Sequence, residues 1–114
     1  MIMVVKRGEI YYVEFYNSVG SEQKGTRPVL VIQNDIGNRY SPTVIGVPLT
    51  SRIKKDLPTH MNITSTDCPG LKCDSTALFE QICTFDKTRI KSKIGSIPKT
   101  MEPIMYEKIK TSVC

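Results

Sequence analysis

The sequence predicts a mainly β protein, a small and highly curved antiparallel barrel with one helix at its C-terminal end. Short runs of branched and aromatic residues recur along the chain, and polar loops separate them. Only the last stretch repeats its apolar residues at helical spacing. A chain of 114 residues has room for one hydrophobic core, so residues 1–114 are expected to form a single domain.

The first two predicted strands flank a long polar loop. Residues 9–15 are rich in aromatic and branched residues, and residues 27–34 form the continuous apolar run typical of a strand buried on both faces. Pro28 fits the beginning of that second strand, where no backbone donor is needed. The loop at residues 17–26 is longer than an ordinary hairpin connection, and such loops often carry function.

The middle of the chain alternates loops and strands. Residues 35–42 are expected to form a loop and residues 43–50 a third strand, in which Pro48 requires an edge position or a bulge. A fourth strand, half-exposed, is predicted at residues 59–64. It would carry His60, the only histidine of the chain, on its surface.

The next segment contains the last strands. Residues 75–85 are predicted to be extended, and the polar pair Glu80 and Gln81 inside this apolar run indicates a bend or a functional site. A short turn capped by Asp86 follows, and a last strand is predicted at residues 93–97.

The C-terminal helix is predicted at residues 100–110. Thr100 is the expected N-cap, and Pro103 is tolerated in the first helical turn. Apolar residues recur at helical spacing at Met101, Ile104, Met105 and Ile109. This spacing is typical of an amphipathic helix.

The charge balance favours a polyanionic partner. The chain has 16 Lys and Arg and 11 Asp and Glu, a net charge of 16 − 11 = +5, and its pI is near 9.1. A small basic domain attracts nucleic acid, although a charge of this size also serves solubility alone. No apolar run is long enough for a membrane span, and the N-terminus lacks the order of a secretory signal, so a cytoplasmic protein is expected.

The four cysteines, at positions 68, 73, 83 and 114, are expected to be reduced thiols. Cys68 and Cys73 flank a tight Pro-Gly loop and could pair under oxidation. Cys83 lies in an apolar run, which is typical of a small buried residue. A structural zinc is disfavoured, because zinc sites use closer cysteine pairs or histidine partners.

Most familiar catalytic motifs are absent from the sequence. A single histidine excludes a two-histidine mechanism within one protomer, and no Gly-rich phosphate loop, G-x-S-x-G elbow or metal-binding carboxylate cluster is found. Two candidate catalytic residues remain: Arg27, at the beginning of a buried strand, and Thr50, at the end of the next strand. Together they could clamp a phosphodiester, although a surface ion pair and an ordinary strand threonine explain the same two residues.

Several stretches of the sequence resemble, in the same order, the MazF/PemK family of toxin endoribonucleases. They are K-R-G-E-I-Y-Y-V at residues 6–13, G-S-E-Q-K-G-T-R-P and its continuation at residues 20–35, V-P-L-T at residues 47–50, and L-F-E-Q-I and its continuation at residues 78–90. The chain is most similar to the Bacillus-type members. The resemblance does not extend to residues 67–73.

This resemblance implies a small SH3-like antiparallel barrel, the MazF/CcdB-like toxin fold, that forms a homodimer. It also implies the activity: a metal-independent, sequence-specific endoribonuclease that cleaves single-stranded mRNA, needs no cofactor and arrests growth. Such a protein is the toxin of a type II toxin–antitoxin system. Its partner would be a MazE-type antitoxin, whose acidic tail covers the RNA-binding groove.

The resemblance also assigns residues to roles. Arg27 and Thr50 fall on the family's catalytic positions. The residues that fall on the RNA groove or near its base-binding surface are Glu22, Gln23, Glu80 and Gln81. Side chains with both donors and acceptors are suited to reading bases, which favours Ser21, Gln23, Asn34 and Gln81.

A metal-free mechanism is compatible with these residues. The ribose 2′-hydroxyl would attack its own phosphate and leave 2′,3′-cyclic phosphate and 5′-hydroxyl ends. Arg27 and Thr50 would donate hydrogen bonds to the phosphate oxygens as negative charge grows on them. Two alternatives stay open: a non-catalytic toxin of the same fold that binds a protein such as gyrase, and a non-catalytic RNA-binding barrel.

Overall fold

A computed structural model describes residues 4–15, 25–52 and 56–114. Its strands are β1 (Glu9–Phe15), β2 (Gly25–Val31), β3 (Thr43–Thr50), β4 (His60–Ile63), β5 (Ser75–Leu78), β6 (Cys83–Asp86) and β7 (Ile90–Ser96). Its helices are α1 (Asp35–Tyr40) and α2 (Glu102–Val113), and 3-10 turns cover Phe79–Gln81, Lys87–Arg89 and Lys99–Met101. The predicted mainly β fold with a C-terminal helix is confirmed.

The strands form a single antiparallel sheet that is strongly curved. Its order is β4-β5-β3-β2-β1-β7, and β6 also pairs with β3. The molecule measures 37 × 34 × 31 Å, so the sheet is rolled rather than flat. Within the described residues β4 and β7 end the path without pairing to each other, which makes the fold barrel-like but open.

Pro48 shows how the sheet changes partners along β3. The first half of β3 pairs with β6, from Thr43 to Gly46, and its end pairs with β5 at Leu49 and Thr50. Pro48 lies between these two paired segments, and on the other side of β3 it lies opposite Val29 of β2. The strand β3 is therefore an interior strand of the sheet, and Pro48 lies where its partner on one side changes from β6 to β5.

The core lies on both faces of the sheet. Leu30 packs on one face in a cluster that includes Met105 of α2, whereas Val29 and Val31 pack on the other face with Phe85. The prediction of a second strand buried on both faces is therefore confirmed, although that strand ends at Val31 and not at residue 34. Neither helix in the described part of the chain has the length and apolarity needed to cross a membrane.

The segment predicted as a loop at residues 35–42 contains α1, so that prediction was wrong. Asn34 starts the helix, because its side-chain oxygen accepts a hydrogen bond of 2.9 Å from the Gly37 N–H. Asp35 accepts one of 2.7 Å from the Arg7 N–H. That backbone hydrogen bond, first among several causes, lowers the pKa of Asp35. Contacts outside the segment thus stabilise a helix that contains a glycine.

The C-terminal helix begins later than predicted. A 3-10 turn over Lys99–Met101 precedes it, and Met101, not Thr100, occupies the N-cap without a side-chain hydrogen bond. Pro103 lies in the first turn, as predicted. Asp86 likewise precedes its short 3-10 turn without making the expected side-chain cap.

The remaining differences concern one strand and the thiols. The extended segment at residues 75–85 is broken by the 3-10 turn Phe79–Gln81, so the predicted bend at Glu80 and Gln81 is confirmed.

All four cysteines are free thiols. Cys68 is buried as part of the core, whereas Cys83 is only half-buried, and burial raises the pKa of its thiol.

Candidate active site

A pocket of about 310 Å³ opens where the start of β2 meets the end of β3, and residues 71–75 close one side of it. Its cationic residues are Arg27, Arg52 and Lys72. Its hydroxyl-bearing residues include Thr26, Thr50, Ser51 and Ser75. No carboxylate is found among the described residues that line it. The pocket is therefore built to receive an anion.

The pairing of β2 with β3 explains why Arg27 and Thr50 meet. The two strands are antiparallel, with Val29 opposite Pro48 and Leu30 opposite Val47. When this register is continued by two residues, Thr50 lies opposite Arg27. Both residues line the same pocket, so the sequence-based expectation that they come together agrees with this geometry.

Each of the two residues is held by a rigid element. Arg27 pairs with Val13 of β1 in the interior of the sheet and is half-buried. Thr50 pairs with Thr76 of β5 and is only 6% exposed. The Thr50 hydroxyl accepts a hydrogen bond of 3.2 Å from the Arg52 N–H, which leaves its own proton available to donate.

This arrangement can stabilise a negatively charged group. A guanidinium presents a planar fork of donors, and a neighbouring hydroxyl adds another donor at a different angle. Donors held in place before the substrate arrives need not reorganise when charge develops on phosphate oxygens. Arg27 and Thr50 are thus placed in one pocket where they can donate hydrogen bonds to a phosphodiester.

Three of the residues expected to contact RNA, Ser21, Glu22 and Gln23, lie outside the described residues. Asn34 is described, but it follows the far end of β2 from Arg27 and caps α1. Within one protomer it therefore does not join the Arg27 pocket. Its role in RNA binding stays a prediction.

Glu80 and Gln81 lie on the 3-10 turn after β5, whereas Ser75 at the other end of β5 lines the pocket. Neither residue joins the Arg27–Thr50 pocket within one protomer. Glu80 accepts a hydrogen bond of 3.0 Å from the Thr59 hydroxyl, and its other carboxylate oxygen lies 3.0 Å from His60 Nε2. Their proximity to bases stays a prediction.

The prediction that His60 lies on the strand surface was wrong. His60 is 6% exposed, and its Nε2 faces Glu80. Burial of Glu80 opposes ionisation, but hydrogen bonds, led by the one from His60, outweigh it and lower the pKa of Glu80. Strand alternation could not reveal this contact, since it joins residues twenty positions apart.

Sequence reasoning missed other residues of the pocket. Arg52 follows Thr50 by only two positions, so its place in the same pocket could have been predicted from the choice of Thr50. Lys72 and Cys73 come from a loop distant in sequence, and only the folded chain brings them to the pocket. No motif in the sequence signals this approach.

A metal site or another pocket on the described surface could also indicate a functional site. Among the residues that the structure describes, no group of three or more His, Cys, Asp or Glu side chains is placed to hold a metal ion. A larger pocket of about 610 Å³ lies beside α1, lined by residues such as Lys6, Arg39 and Lys87, and it contains neither Arg27 nor Thr50. Size alone therefore does not identify the site.

Comparison with known proteins places the chain in a family. The family model described as "PemK-like, MazF-like toxin of type II toxin-antitoxin system" matches residues 6–113. The chain is 47% identical over 112 residues to endoribonuclease EndoA of Bacillus subtilis, covering 97% of this chain and 96% of that protein. It is 48% identical over 92 residues to endoribonuclease MazF of Staphylococcus saprophyticus, covering 80% of this chain and 76% of that protein.

Solved structures agree with the fold. A MazF structure from Deinococcus radiodurans has a TM-score of 0.77 at 22% identity and covers 96% of each chain. A mycobacterial endoribonuclease in complex with its cognate antitoxin has a TM-score of 0.76 at 21% identity, covering 96% of this chain and 94% of that one. At this identity the similarity shows that the fold is shared.

Proposed function

Because this chain belongs to the PemK-like, MazF-like family of type II toxins, we propose that it is a toxin endoribonuclease with a single catalytic domain over residues 1–114. It cleaves single-stranded RNA, chiefly mRNA, at a specific sequence and thereby arrests growth. The names of its relatives EndoA and MazF support the reaction class. The observation that carries the proposal is the placement of Arg27 and Thr50 in one pocket without a lining carboxylate among the described residues.

The proposed mechanism uses the substrate's own nucleophile. The 2′-hydroxyl loses its proton to solvent as its oxygen attacks the adjacent phosphorus, the bond to the 5′-oxygen breaks, and that oxygen takes up a proton from solvent. The products are a 2′,3′-cyclic phosphate and a 5′-hydroxyl. The Arg27 guanidinium and the Thr50 hydroxyl donate to the non-bridging oxygens, which carry more charge in the transition state than in the ground state. The chemistry is assigned to these side chains, with no metal and no cofactor.

The proposed partners follow from the family and the charge. Related solved structures include MazE–MazF complexes from Deinococcus radiodurans, which supports a MazE-type antitoxin as the protein partner here. The chain would act in the cytoplasm as a homodimer. The net charge of +5 favours both RNA and an acidic antitoxin segment, and both should bind less tightly as salt rises.

One experiment tests this function against its alternatives. Purified protein is incubated with a long unstructured RNA in EDTA, and the cleaved ends are mapped for the wild type and for Arg27→Ala and Thr50→Ala. Cleavage with 5′-hydroxyl ends, lost in both variants, is the expected result. Intact RNA with the wild type overturns the proposal. RNA bound without cleavage then identifies a binding barrel, and gyrase inhibition without RNA binding identifies a protein-directed toxin.

A further inference from the structure

We propose that Lys72, together with Arg52, forms a second phosphate-binding subsite beside the Arg27–Thr50 pair. This subsite receives the phosphodiester that neighbours the one being cleaved. The inference rests on the proposed function, because it takes single-stranded RNA as the ligand. It adds contacts from residues 67–73, a segment that lies outside the sequence resemblance to the family.

The pocket carries an excess of positive charge. Arg27, Arg52 and Lys72 line one pocket, and none of them forms an ion pair with a carboxylate of the described residues. One phosphodiester carries a single negative charge, so the three cations exceed what the scissile group can neutralise. A single strand brings a further phosphate with each nucleotide, which supplies the missing charge.

The pocket is larger than a single phosphate group requires. Its volume of about 310 Å³ lies at the lower end of the range for sites that hold a whole small ligand, roughly 300–1,000 Å³. A single phosphate group is smaller than such a ligand. The pocket therefore accommodates the scissile phosphate and part of the adjoining backbone.

The loop that carries Lys72 is anchored in the hydrophobic core. Cys68 and Leu71 are buried in the core, and the Leu71 N–H donates a hydrogen bond of 2.9 Å to the Cys68 carbonyl. Gly70 packs so closely on β7 that a Cβ at that position would overlap the Ile94 carbonyl oxygen. The backbone that leads into Lys72 is thus held by the core, while Lys72 itself stays exposed.

The carboxylates nearest in sequence to Lys72 do not neutralise it. Asp74 accepts hydrogen bonds from the Ser65 N–H at 2.8 Å and the Ser65 hydroxyl at 3.2 Å. Asp67 accepts one of 3.0 Å from the Thr64 N–H. Both carboxylates are used to hold the loop, and neither lines the pocket. Lys72 is consequently available to an incoming anion.

Salt dependence of binding gives the first test. The RNA sequence cut in the cleavage assay is made with 2′-O-methyl groups, which prevent reaction, and its affinity is measured by fluorescence anisotropy over a range of salt. The plot of log K against log salt has a negative slope. Removing one cation that binds a phosphate should decrease the magnitude of this slope by about 0.7 for a single strand. Lys72→Ala and Arg52→Ala should each show this decrease and bind severalfold more weakly at low salt.

A matched control removes the same charge elsewhere. Lys91 is on β7 and lies 3.6 Å from Glu14, so Lys91→Ala should leave the slope close to that of the wild type. Lys72→Arg, which keeps the charge, should restore the wild-type slope. A Lys72→Ala protein with the wild-type slope, or a Lys91→Ala protein with the same decrease, overturns the proposal.

Replacement of single phosphates identifies the group that is bound. Oligonucleotides with one neutral methylphosphonate, 5′ or 3′ of the cleavage site, are compared in the wild type and in Lys72→Ala. At one of the two linkages, the neutral replacement should weaken binding to the wild type severalfold. The same replacement should cause no further loss of affinity in Lys72→Ala, which already lacks the cation. If both proteins lose the same affinity at both linkages, the proposed subsite is overturned, but the proposed endoribonuclease function is not. Failure of the wild type to cleave any RNA overturns the proposed function instead.

Discussion

Cations are used differently at two places on the same sheet. On β7, Lys93 Nζ lies 2.6 Å from Glu9 Oε2, and Lys91 Nζ lies 3.6 Å from Glu14 Oε1. In the pocket at the ends of β2 and β3, Arg27 and its cationic neighbours have no carboxylate partner among the described residues. The first set stabilises the fold, and the second is open to a ligand. Net charge alone cannot separate the two.

The paired region is organised around Glu9. This residue is only 8% exposed, and its carboxylate accepts hydrogen bonds from the Lys6 N–H at 2.7 Å and the Tyr11 hydroxyl at 2.8 Å. Burial of the Tyr11 ring, with the neighbouring Glu9 carboxylate, raises the pKa of Tyr11. The Glu9 carboxylate already has its donors, so no ligand is needed there.

The largest expected effect is on catalysis in the unpaired region. Arg27→Ala removes a donor from the developing charge, so the cleavage rate should fall about 10²–10³-fold. Thr50→Val should act in the same direction, with its shape retained. Cleavage is followed with a fluorescent RNA, and circular dichroism checks the fold. A folded Arg27→Ala protein with nearly wild-type activity would show that Arg27 takes no part in the cleavage reaction.

The next effect is on stability in the paired region. Glu9→Ala leaves the Lys6 N–H without its side-chain acceptor and the Tyr11 hydroxyl with only the Val4 carbonyl at 3.4 Å, so the free energy of unfolding should fall by about 2–3 kcal/mol. Urea denaturation measures the decrease. Glu14→Ala breaks only a half-exposed pair with Lys91 and should cost no more than about 1 kcal/mol. Equal decreases in both variants would show that Glu9 has no organising role.

A smaller effect is expected from modification of the pocket wall. Cys73 is exposed and lines the pocket with Lys72, so alkylation by iodoacetamide should slow cleavage severalfold by obstructing the RNA. Cys73→Ser is the control, because the reagent still reaches the exposed Cys114 in that variant. If the reagent slows both proteins equally, Cys73 does not border the substrate.

The smallest expected effect is a pH dependence at Glu80. The pKa of Glu80 is lower in the folded protein than in the unfolded chain, where a glutamate has a pKa of about 4.3. Its ionised form therefore stabilises the fold above that pH, and this contribution disappears as pH falls through the lower folded value. The stability difference between the wild type and Glu80→Gln should shrink below about pH 4. Denaturation at several pH values measures it, and a constant difference would contradict the account.

The sequence predicted the fold well because local patterns determine most of it. β3 has the predicted bounds, since branched residues between two polar loops leave little alternative. The helix α1 was missed because Asn34 and Asp35 stabilise it through contacts, one of them with the distant Arg7. Strand and turn patterns do not contain that information.

The candidate site was predictable only in part. Arg27 and Thr50 lie at the ends of neighbouring strands, so their approach follows from antiparallel pairing. Lys72 reaches the pocket because Cys68 and Leu71 are buried in the core, which is a tertiary contact without a sequence signature. His60 was misplaced for the same kind of reason, since its partner Glu80 lies on another element.

The central claim is that the Arg27–Thr50 pocket promotes attack by the ribose 2′-hydroxyl, and one substitution in the substrate tests it most directly. The RNA that the protein cleaves is remade with a single 2′-deoxy nucleotide on the 5′ side of the cut. Removal of this hydroxyl should abolish cleavage while binding, measured by anisotropy, stays close to that of the all-ribose strand. Cleavage of the deoxy-substituted strand at the same linkage would contradict the mechanism.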